Sequence, residues 1–313
     1  MNTGSTTPIL LLGTSSQDIV GRLDSELQPG TSNPARIRTS YGGVARNVAE
    51  NLARLGQPAK LVSVVGKDRP GDELLEYTAA AGVDVSSVLR TDLYPTGFYM
   101  GVLDARAHLR FAVDDMRAMS ELTPDVLHQN EELFKSASLV FLDANLPEPT
   151  LKTAVSLAKK NKIPICADPA SSILAERLLP YLDKLHLITP NATEAAILTG
   201  QTFDIADANA ALEAARNLVG RGVDIVLISL AEFGVVYATP ETSGRISAIQ
   251  TPIIDPTGAG DAMTAAVLFG LVNEMDLDDA IRLGVSAASL TLRHSGTVYP
   301  QLTLEKLYEQ LVI

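Results

Sequence analysis

Between residues 139 and 230 the chain alternates between short apolar segments and segments of helical length. The apolar segments are predicted as strands at 139–142, 163–167, 185–189 and 224–230, and helices are predicted at 148–161, after Ser171, at 191–198 and at 206–219. Such alternation requires a parallel sheet that is covered by helices on both faces. Ligands in this architecture bind beyond the carboxyl ends of the strands. Because Asp168, Asn191 and Ser229 fall at such ends, we expect them to share a site.

A second feature is the turn 255–261, with the sequence DPTGAGD, which leads into the small apolar residues 262–268. These apolar residues are predicted as a helix. Glycine lets the backbone approach a ligand closely, and the first N–H groups of a helix carry partial positive charge. Gly258, Ala259 and Gly260 are therefore predicted to form an anion hole that suits a phosphoryl group.

Asp261 lies directly inside this predicted anion hole. A carboxylate is a poor partner for a phosphate, but it suits a base that takes a proton from an attacking hydroxyl group. The hole would then stabilise the charge that develops on the phosphoryl group. The alternative is an acid that only complements the dipole of the first helical turn, and the turn alone leaves both interpretations open.

Composition limits the classes of protein that fit this chain. Its 313 residues suffice for one large α/β domain or two smaller ones, and 46% of them are hydrophobic. The net charge of −12, with no basic cluster, argues against a nucleic-acid polymer as partner. Cys166 is the only cysteine, which excludes an internal disulfide framework and a cysteine zinc site.

No targeting or membrane segment is predicted. Residues 1–8 contain no Lys or Arg, and the apolar run 9–12, which is predicted as a buried strand, is too short for a signal peptide. No segment approaches the roughly 20 apolar residues of a membrane span. We therefore expect a cytoplasmic protein without membrane contact.

Residues 41–56 predict a helix that begins at a glycine pair. The apolar residues at 44, 48, 52 and 55 form one helical stripe, and the pair Gly42 and Gly43 precedes it. Asn47 and Asn51 fall on this stripe, where an amide must find a partner or cost stability. A hydrogen bond in the core and contact with a ligand both satisfy that need. We favour ligand contact for Asn47 and a core role for Asn51.

Two segments are predicted to form a small β lid. Segment 22–40 is polar and interrupted by Gly30 and Pro34, and segment 96–113 contains two short strand candidates around a hairpin turn. These strands are too small to bury a core of their own. We expect them to close over a substrate or to pair with a second subunit, and we predict a homodimer through the lid.

Three of these motifs resemble the ribokinase-like (PfkB) carbohydrate kinase family. Residues 255–268 resemble its C-terminal signature, residues 41–56 its N-terminal signature, and Asn191 with Glu194 its Asn-x-x-Glu motif. The last motif alone is weak, because an Asn cap with a Glu three residues later also resembles a capping box. The resemblance covers nearly the whole chain. It implies a single α/β kinase domain over 1–313, with a central, mostly parallel sheet, helices on both faces and the lid segments inserted.

The resemblance also implies a role for individual residues. ATP and Mg²⁺ are expected as ligands, and the resemblance also implies a monovalent cation, K⁺. The implied roles are catalytic base for Asp261, substrate binding for Asp18, Gly42, Gly43 and Asn47, binding of ATP and Mg²⁺ for Asn191, Glu194, Ser229 and Gly234, and monovalent-cation binding near Asp255 and Thr257. Ala231 departs from the family, because a glycine is common at that position of the nucleotide loop.

Within the family, the chain resembles the pseudouridine kinases. The resemblance rests on residues 32–37, Arg46, residues 115–116 and residues 143–145. Asn145 stands where ribokinase carries a ribose-binding glutamate, which argues against free ribose. Asn33, Asp115 and Asn145 are the candidates to contact the nucleoside.

Three alternatives to this assignment were weighed: a kinase of another nucleoside or sugar, a catalytically silent binding homologue and a Rossmann dehydrogenase. The intact Asp261 argues against the silent homologue. The lack of a Gly-x-Gly-x-x-Gly motif after the first strand excludes the dehydrogenase.

Overall fold

The structure is a computed structural model that describes residues 6–311. Within that range the chain forms fourteen strands: β1 Ile9–Leu12, β2 Ser16–Leu23, β3 Ala35–Gly42, β4 Ala59–Val62, β5 Val64–Gly66, β6 Leu89–Thr91, β7 Gly97–Leu103, β8 Leu109–Asp115, β9 Leu139–Asp143, β10 Ile165–Asp168, β11 Leu187–Ile188, β12 Ile225–Ser229, β13 Val235–Ala238 and β14 Ser243–Ile246. The helices of the same range are α1 Val44–Arg54, α2 Arg69–Ala80, α3 Pro124–Gln129, α4 Glu131–Lys135, α5 Glu148–Lys160, α6 Ala192–Thr199, α7 Ala208–Gly220, α8 Ala259–Val272, α9 Leu277–Leu292 and α10 Leu304–Leu311. No helix of residues 6–311 is long and apolar enough to cross a membrane.

The central sheet has eight strands in the order β14-β13-β12-β11-β10-β9-β1-β4. The strands from β12 to β4 are parallel, as the alternation of strands and helices predicts. The strands β13 and β14 extend the sheet with antiparallel pairing, although the sequence predicted that β12 would end the series. The fold is ribokinase-like, with a mostly parallel sheet between helical layers.

The side chains of each central strand alternate between two hydrophobic cores. In β1, Leu10 and Leu12 pack into the core that contains α5 and α7, whereas Ile9 and Leu11 pack into the core that contains α1, α8 and α9. Because both faces of such a strand are buried, its sequence is a continuous apolar run. This is why β1 and β9 are recognisable in the sequence.

Two predicted elements differ in the structure. The strand predicted at 60–65 is interrupted at Ser63, so that β4 joins the central sheet whereas β5 pairs with β6. The helix predicted after Ser171 is a 3-10 segment, Ala175–Lys184, which contains Pro180. Proline lacks an N–H group and clashes with the preceding turn, and this disfavours a regular α-helix here.

A separate four-stranded sheet, with the order β3-β2-β7-β8, is formed by residues 16–42 and 97–115. It overlaps both predicted lid segments, but β2 begins at Ser16 and β8 ends at Asp115. We call it the lid sheet. Its inner face carries Asp18 and Arg38, and the exposed outer face carries Ile37. The alternation of neighbouring side chains therefore gives this sheet one polar face and one apolar face.

Candidate active site

A buried carboxylate, Asp143, fixes the loop after β1 against the start of α1. Its Oδ2 accepts hydrogen bonds from Thr14 N at 2.7 Å, Thr14 Oγ1 at 2.9 Å and Ala45 N at 3.3 Å. Burial raises the pKa of Asp143 above the usual aspartate value, and these hydrogen bonds oppose the rise. Asn145 N donates to Oδ1 at 2.9 Å, so the same carboxylate also shapes the turn after β9.

Asp18 and the predicted glycine pair form a compact pocket beside this loop. A Cβ atom on Gly42 would overlap the Asp18 carboxylate, and a Cβ on Gly43 would overlap the Thr14 carbonyl oxygen. Gly43 also has a φ of 93°, which L side chains rarely adopt. Ser16 Oγ donates to Asp18 Oδ1 at 2.7 Å, and burial raises the pKa of Asp18 to about 6. This carboxylate is placed to accept hydrogen bonds from substrate hydroxyl groups.

Asn47 links this pocket to Asp261. Asn47 Nδ2 donates to Asp261 Oδ2 at 2.7 Å, whereas Asn51 Nδ2 donates to the Asn47 carbonyl oxygen inside α1 at 2.8 Å. Burial, followed by the charge of Asp168, raises the pKa of Asp261 to about 8. The hydrogen bond from Asn47 acts in the opposite direction, because it favours the ionised carboxylate.

The N-terminus of α8 forms an open, positively polarised turn next to Asp261. Gly258 is the N-cap with a φ of 81°, and a Cβ there would overlap the Thr297 carbonyl oxygen. The first intrahelical bond runs from Ala262 N to Gly258 O at 2.9 Å. The N–H groups of Gly260 and Asp261 precede this bond, so they can donate to an anion.

Arg46 holds the surroundings of Asn47 together. It is fully buried in α1, and its Nη1 pairs with Glu50 Oε2 at 2.5 Å. Its Nε donates to Gly42 O at 3.0 Å, and its Nη2 donates to the side-chain oxygen of Asn47. Nη2 also lies 3.3 Å from Thr297 Oγ1. One guanidinium thus joins α1 to the glycine turn and to the segment that packs on Gly258.

A groove of ≈ 430 Å³ extends from the N-terminus of α8 along the carboxyl edge of the sheet. Predicted nucleotide-site residues that line it are Asn191, Ser229, Gly234, Ala259 and Gly260. Its other wall is largely apolar and comes from α9 and residues 248–253. A mainly apolar slot that ends at a positively polarised helix turn suits a nucleotide, with its base in the slot and its phosphates at the turn.

Asn191 and Glu194 form a capping box at the start of α6. Glu194 N donates to Asn191 Oδ1 at 3.0 Å, and Asn191 N donates to Glu194 Oε2 at 2.8 Å. Glu194 is outside the groove lining but is buried close to Asp168. Burial, followed by the charge of Asp168, raises the pKa of Glu194 to about 7. Burial also raises the pKa of Asp168 to about 6.

The three residues predicted to contact the nucleoside lie in different environments. Asn33 closes the loop between β2 and β3, because its side chain bonds the backbone of Gln28 in both directions, at 2.7 Å and 2.9 Å. Asp115 forms a bidentate pair with Arg117 at the end of the lid sheet. Asn145 lies directly after β9, and its side chain makes no hydrogen bond to any other part of the described chain.

Asp255 lies at the start of the turn that forms the anion hole, and it is buried. Its Oδ1 accepts from Thr257 N at 3.0 Å, and its Oδ2 accepts from Gly296 N at 3.2 Å. Arg38, from the inner face of the lid sheet, pairs with the same Oδ2. No local pattern associates Arg38 with this carboxylate, because most of the chain separates the two residues.

Asp261 lies beside the open N-terminus of α8, between the groove along α9 and the polar pocket at Asp18. This arrangement is that of a phosphotransferase site of the ribokinase-like type. The comparisons with known proteins agree. The sequence model of the pfkB family carbohydrate kinases matches residues 7–304, so the chain belongs to this family. It is therefore a phosphotransferase that acts on a hydroxyl group.

Individual relatives cover nearly the whole chain. The pseudouridine kinase of Escherichia coli (strain K12) is 30% identical over 297 residues, which represent 95% of this chain and 94% of that protein. The ribokinase of Haemophilus influenzae is 30% identical over 290 residues, 92% of this chain and 93% of that protein. The structure of Arabidopsis thaliana ribokinase complexed with ribose and ATP superposes with a TM-score of 0.84, covering 99% of this chain and 100% of that chain. At 23% identity, this last likeness concerns the fold alone.

Proposed function

We propose that this kinase transfers the γ-phosphoryl group of ATP to the 5′-hydroxyl of pseudouridine and forms pseudouridine 5′-phosphate. The observation that supports this acceptor best is the 30% identity to Escherichia coli pseudouridine kinase, which extends over 95% of the chain. Asn145 also supports this acceptor, because its side-chain amide makes no hydrogen bond within the described chain and the residue stands where ribokinase carries a glutamate.

In the proposed reaction the acceptor hydroxyl lies beside Asp261. The ionised carboxylate accepts the hydroxyl proton as the new O–P bond forms and the bond between the γ-phosphorus and ADP breaks. The N–H groups of Gly260 and Asp261 would stabilise the charge on the transferred group. Asn47 keeps the carboxylate oriented by its hydrogen bond of 2.7 Å, and Asp18 would bind the ribose diol.

The groove along α9 would bind ATP, with Ser229 and Gly234 beside the nucleotide and Asn191 with Glu194 near its phosphates. Asp168 and Glu194 would hold Mg²⁺, which when bound would neutralise negative charge on the phosphates. The acids present fit such an ion. Burial raises the pKa of both Asp168 and Glu194, and the charge of Asp168 raises that of Glu194 as well. Neither acid forms a salt bridge with Lys or Arg in the part of the chain that is described. Because Mg²⁺ keeps several waters and phosphate ligands, it needs only one or two protein carboxylates.

Selectivity for pseudouridine would come from a polar partner inside the site. Pseudouridine has a carbon–carbon glycosidic bond, and its ring therefore carries an N–H group that uridine lacks. A site that pairs with this group rejects the analogue, since the buried partner would otherwise be left unsatisfied. Asn145 is the first candidate for this partner. Asp115 would have to give up its hydrogen bonds with Arg117 to bind the nucleoside. Asn33 would shape the nucleoside site through the loop that its side chain closes.

The test compares kcat/KM for pseudouridine, uridine and ribose in one coupled assay of ADP release. We expect pseudouridine to have the highest value, and Asn145→Ala to narrow its advantage or abolish activity. Asn130→Ala, which removes an amide outside the site, serves as control. Ribose phosphorylated at least as efficiently as pseudouridine would disprove this acceptor and favour the second candidate, a ribokinase-like sugar kinase. The 30% identity to Haemophilus influenzae ribokinase supports that second candidate.

A further inference from the structure

The carboxylate of Asp255 lies where the family resemblance implies a monovalent cation, and the structure allows that expectation to be tested. Asp255 is only 1% exposed. A carboxylate buried to this extent requires hydrogen bonds and a compensating positive charge. The N–H groups of Thr257 and Gly296 supply one hydrogen bond to each of its oxygens. These N–H groups are neutral, so the carboxylate still requires a positive charge beside it.

Arg38 supplies this charge from the lid sheet. Its guanidinium forms an ion pair with Asp255 Oδ2, and the side chain as a whole is 23% exposed. Both terminal nitrogens are buried and neither makes a hydrogen bond within residues 6–311, so the contact with Asp255 is one of charge. Arg38 faces inward because it alternates with Ile37 on β3 and shares the inner face with Ser40, the partner of Asp18. Its charge also lowers the pKa of Asp18, so it lies near both carboxylates.

A monovalent cation does not fit at Asp255 while Arg38 is in place. Each oxygen of the carboxylate already accepts a hydrogen bond from a backbone N–H, and Oδ2 also forms the ion pair with the guanidinium of Arg38. A second cation at this carboxylate would meet the repulsion of a guanidinium that stays charged at any working pH. The groups that contact the Asp255 carboxylate are N–H donors of Thr257, Gly296 and Arg38, and none of these can act as a ligand of a cation.

We propose that the guanidinium of Arg38 replaces the monovalent cation at Asp255, so that this kinase holds its anion-hole turn without K⁺. Because Arg38 belongs to β3 of the lid sheet, its ion pair with Asp255 also connects the turn at 255–258 to the lid sheet. The inference rests on the kinase activity of the family and is independent of which acceptor the enzyme uses.

The experiment uses wild type, Arg38→Ala and Arg38→Met, with KCl titrated against choline chloride at constant ionic strength. Two quantities are measured, the rate of ADP release and the melting temperature of the ligand-free protein. Both should be unaffected by K⁺ in wild type. In the Arg38 variants K⁺ should restore activity and raise the melting temperature by about 2 °C or more, because a ligand that binds only the folded state stabilises it.

Arg36→Ala is the matched control. Arg36 lies two residues away on the same strand, is exposed, and pairs with Asp24 at the surface. This variant should remain indifferent to K⁺ in both measurements.

Two outcomes would overturn the proposal. One is K⁺ activation of wild type to the same extent as of Arg38→Met. The other is a folded Arg38→Met that stays inactive and thermally unchanged at every K⁺ concentration, since Arg38 would then act in another way. The melting temperature needs no substrate, so it still decides the question if pseudouridine proves not to be the acceptor.

Discussion

At the scale of single residues, the hydrogen bond between Asn47 and Asp261 is the contact on which the proposed chemistry depends. Asp261→Asn keeps the size of the side chain but removes the proton acceptor, so kcat should fall by about 10² or more. ATP binding, measured by calorimetry, should persist, because the groove and the N–H groups of α8 are unchanged. A kcat close to that of the wild type in this variant would show that Asp261 is not the catalytic base.

The pKa of Asp261 gives a second prediction at this scale. Only the ionised carboxylate can accept a proton, and burial raises the pKa of Asp261 to about 8. The value of kcat/KM for the acceptor should therefore rise with pH and level off above about pH 8. Asn47→Ala removes a hydrogen bond that favours the ionised form, so its profile should shift to higher pH.

Asn51→Ala provides the control for this profile. Asn51 lies one turn further along α1 and donates to the backbone of Asn47, away from Asp261. Its removal should lower stability and leave the pH profile in place. A wild-type rate that is already constant down to about pH 5 would contradict an acid of raised pKa as the base.

At the scale of elements, α1 begins at the glycine turn of the substrate pocket and packs its apolar side chains into the core. Arg46 and Glu50 are both fully buried, so removing Arg46 leaves the buried Glu50 carboxylate with only the partly exposed Arg54 as a compensating charge. Arg46→Met should lower the free energy of unfolding by about 3–5 kcal/mol. Arg54→Ala removes the outer, partly exposed partner of the same Glu50 and should cost less. Urea unfolding measures both, and equal losses would contradict the structural role assigned to Arg46.

The elements that the sequence revealed are those with a local signal. The strands β1 and β9 are continuous apolar runs, and the apolar stripe of α1 has helical spacing. The strand β14 has the sequence SGRI, which carries no strand signal. The strand β13 is a buried apolar run of four residues, as β1 is, and was nevertheless not predicted as part of the sheet. The break at Ser63 was also hidden, because the apolar residues continue through it while the pairing partner changes.

The site was predictable where a motif lies in one stretch of chain. The turn 255–261 and the glycine pair at 42–43 are local motifs, and their resemblance to the family signatures implied the roles that the residues alone left open. Asp143 and Arg38 were missed as partners, because their contacts join distant residues. The bond from Thr14 to Asp143 spans 129 residues, and no local pattern indicates such a pair. The regular spacing of residues within a helix or strand does not indicate which distant charge a buried charged side chain will contact.

At the scale of the whole molecule, the outer face of the lid sheet is the surface that most needs a partner. Strand register places Ile37, Met100, Phe111 and Val113 on this one face, and all four are exposed. Ile37 is 73% exposed. A contiguous apolar surface of this kind marks an interaction site, and the edge strands β3 and β8 also offer unpaired backbone groups.

We therefore expect a homodimer in which two lid sheets cover each other. Light scattering at assay concentration should give twice the mass of one chain, and Phe111→Asp should shift it towards the monomer because a buried carboxylate is costly. Leu93→Asp, at an exposed leucine outside the lid sheet, is the matched control and should leave the mass unchanged. Since Asp18 and Arg38 lie on the opposite face of the same strands, the monomeric variant should bind the acceptor more weakly. The KM of the Phe111→Asp variant for the acceptor should therefore rise by a larger factor than its kcat falls. A wild-type protein that is monomeric at assay concentration would contradict the homodimer and show that the lid sheet acts without a partner.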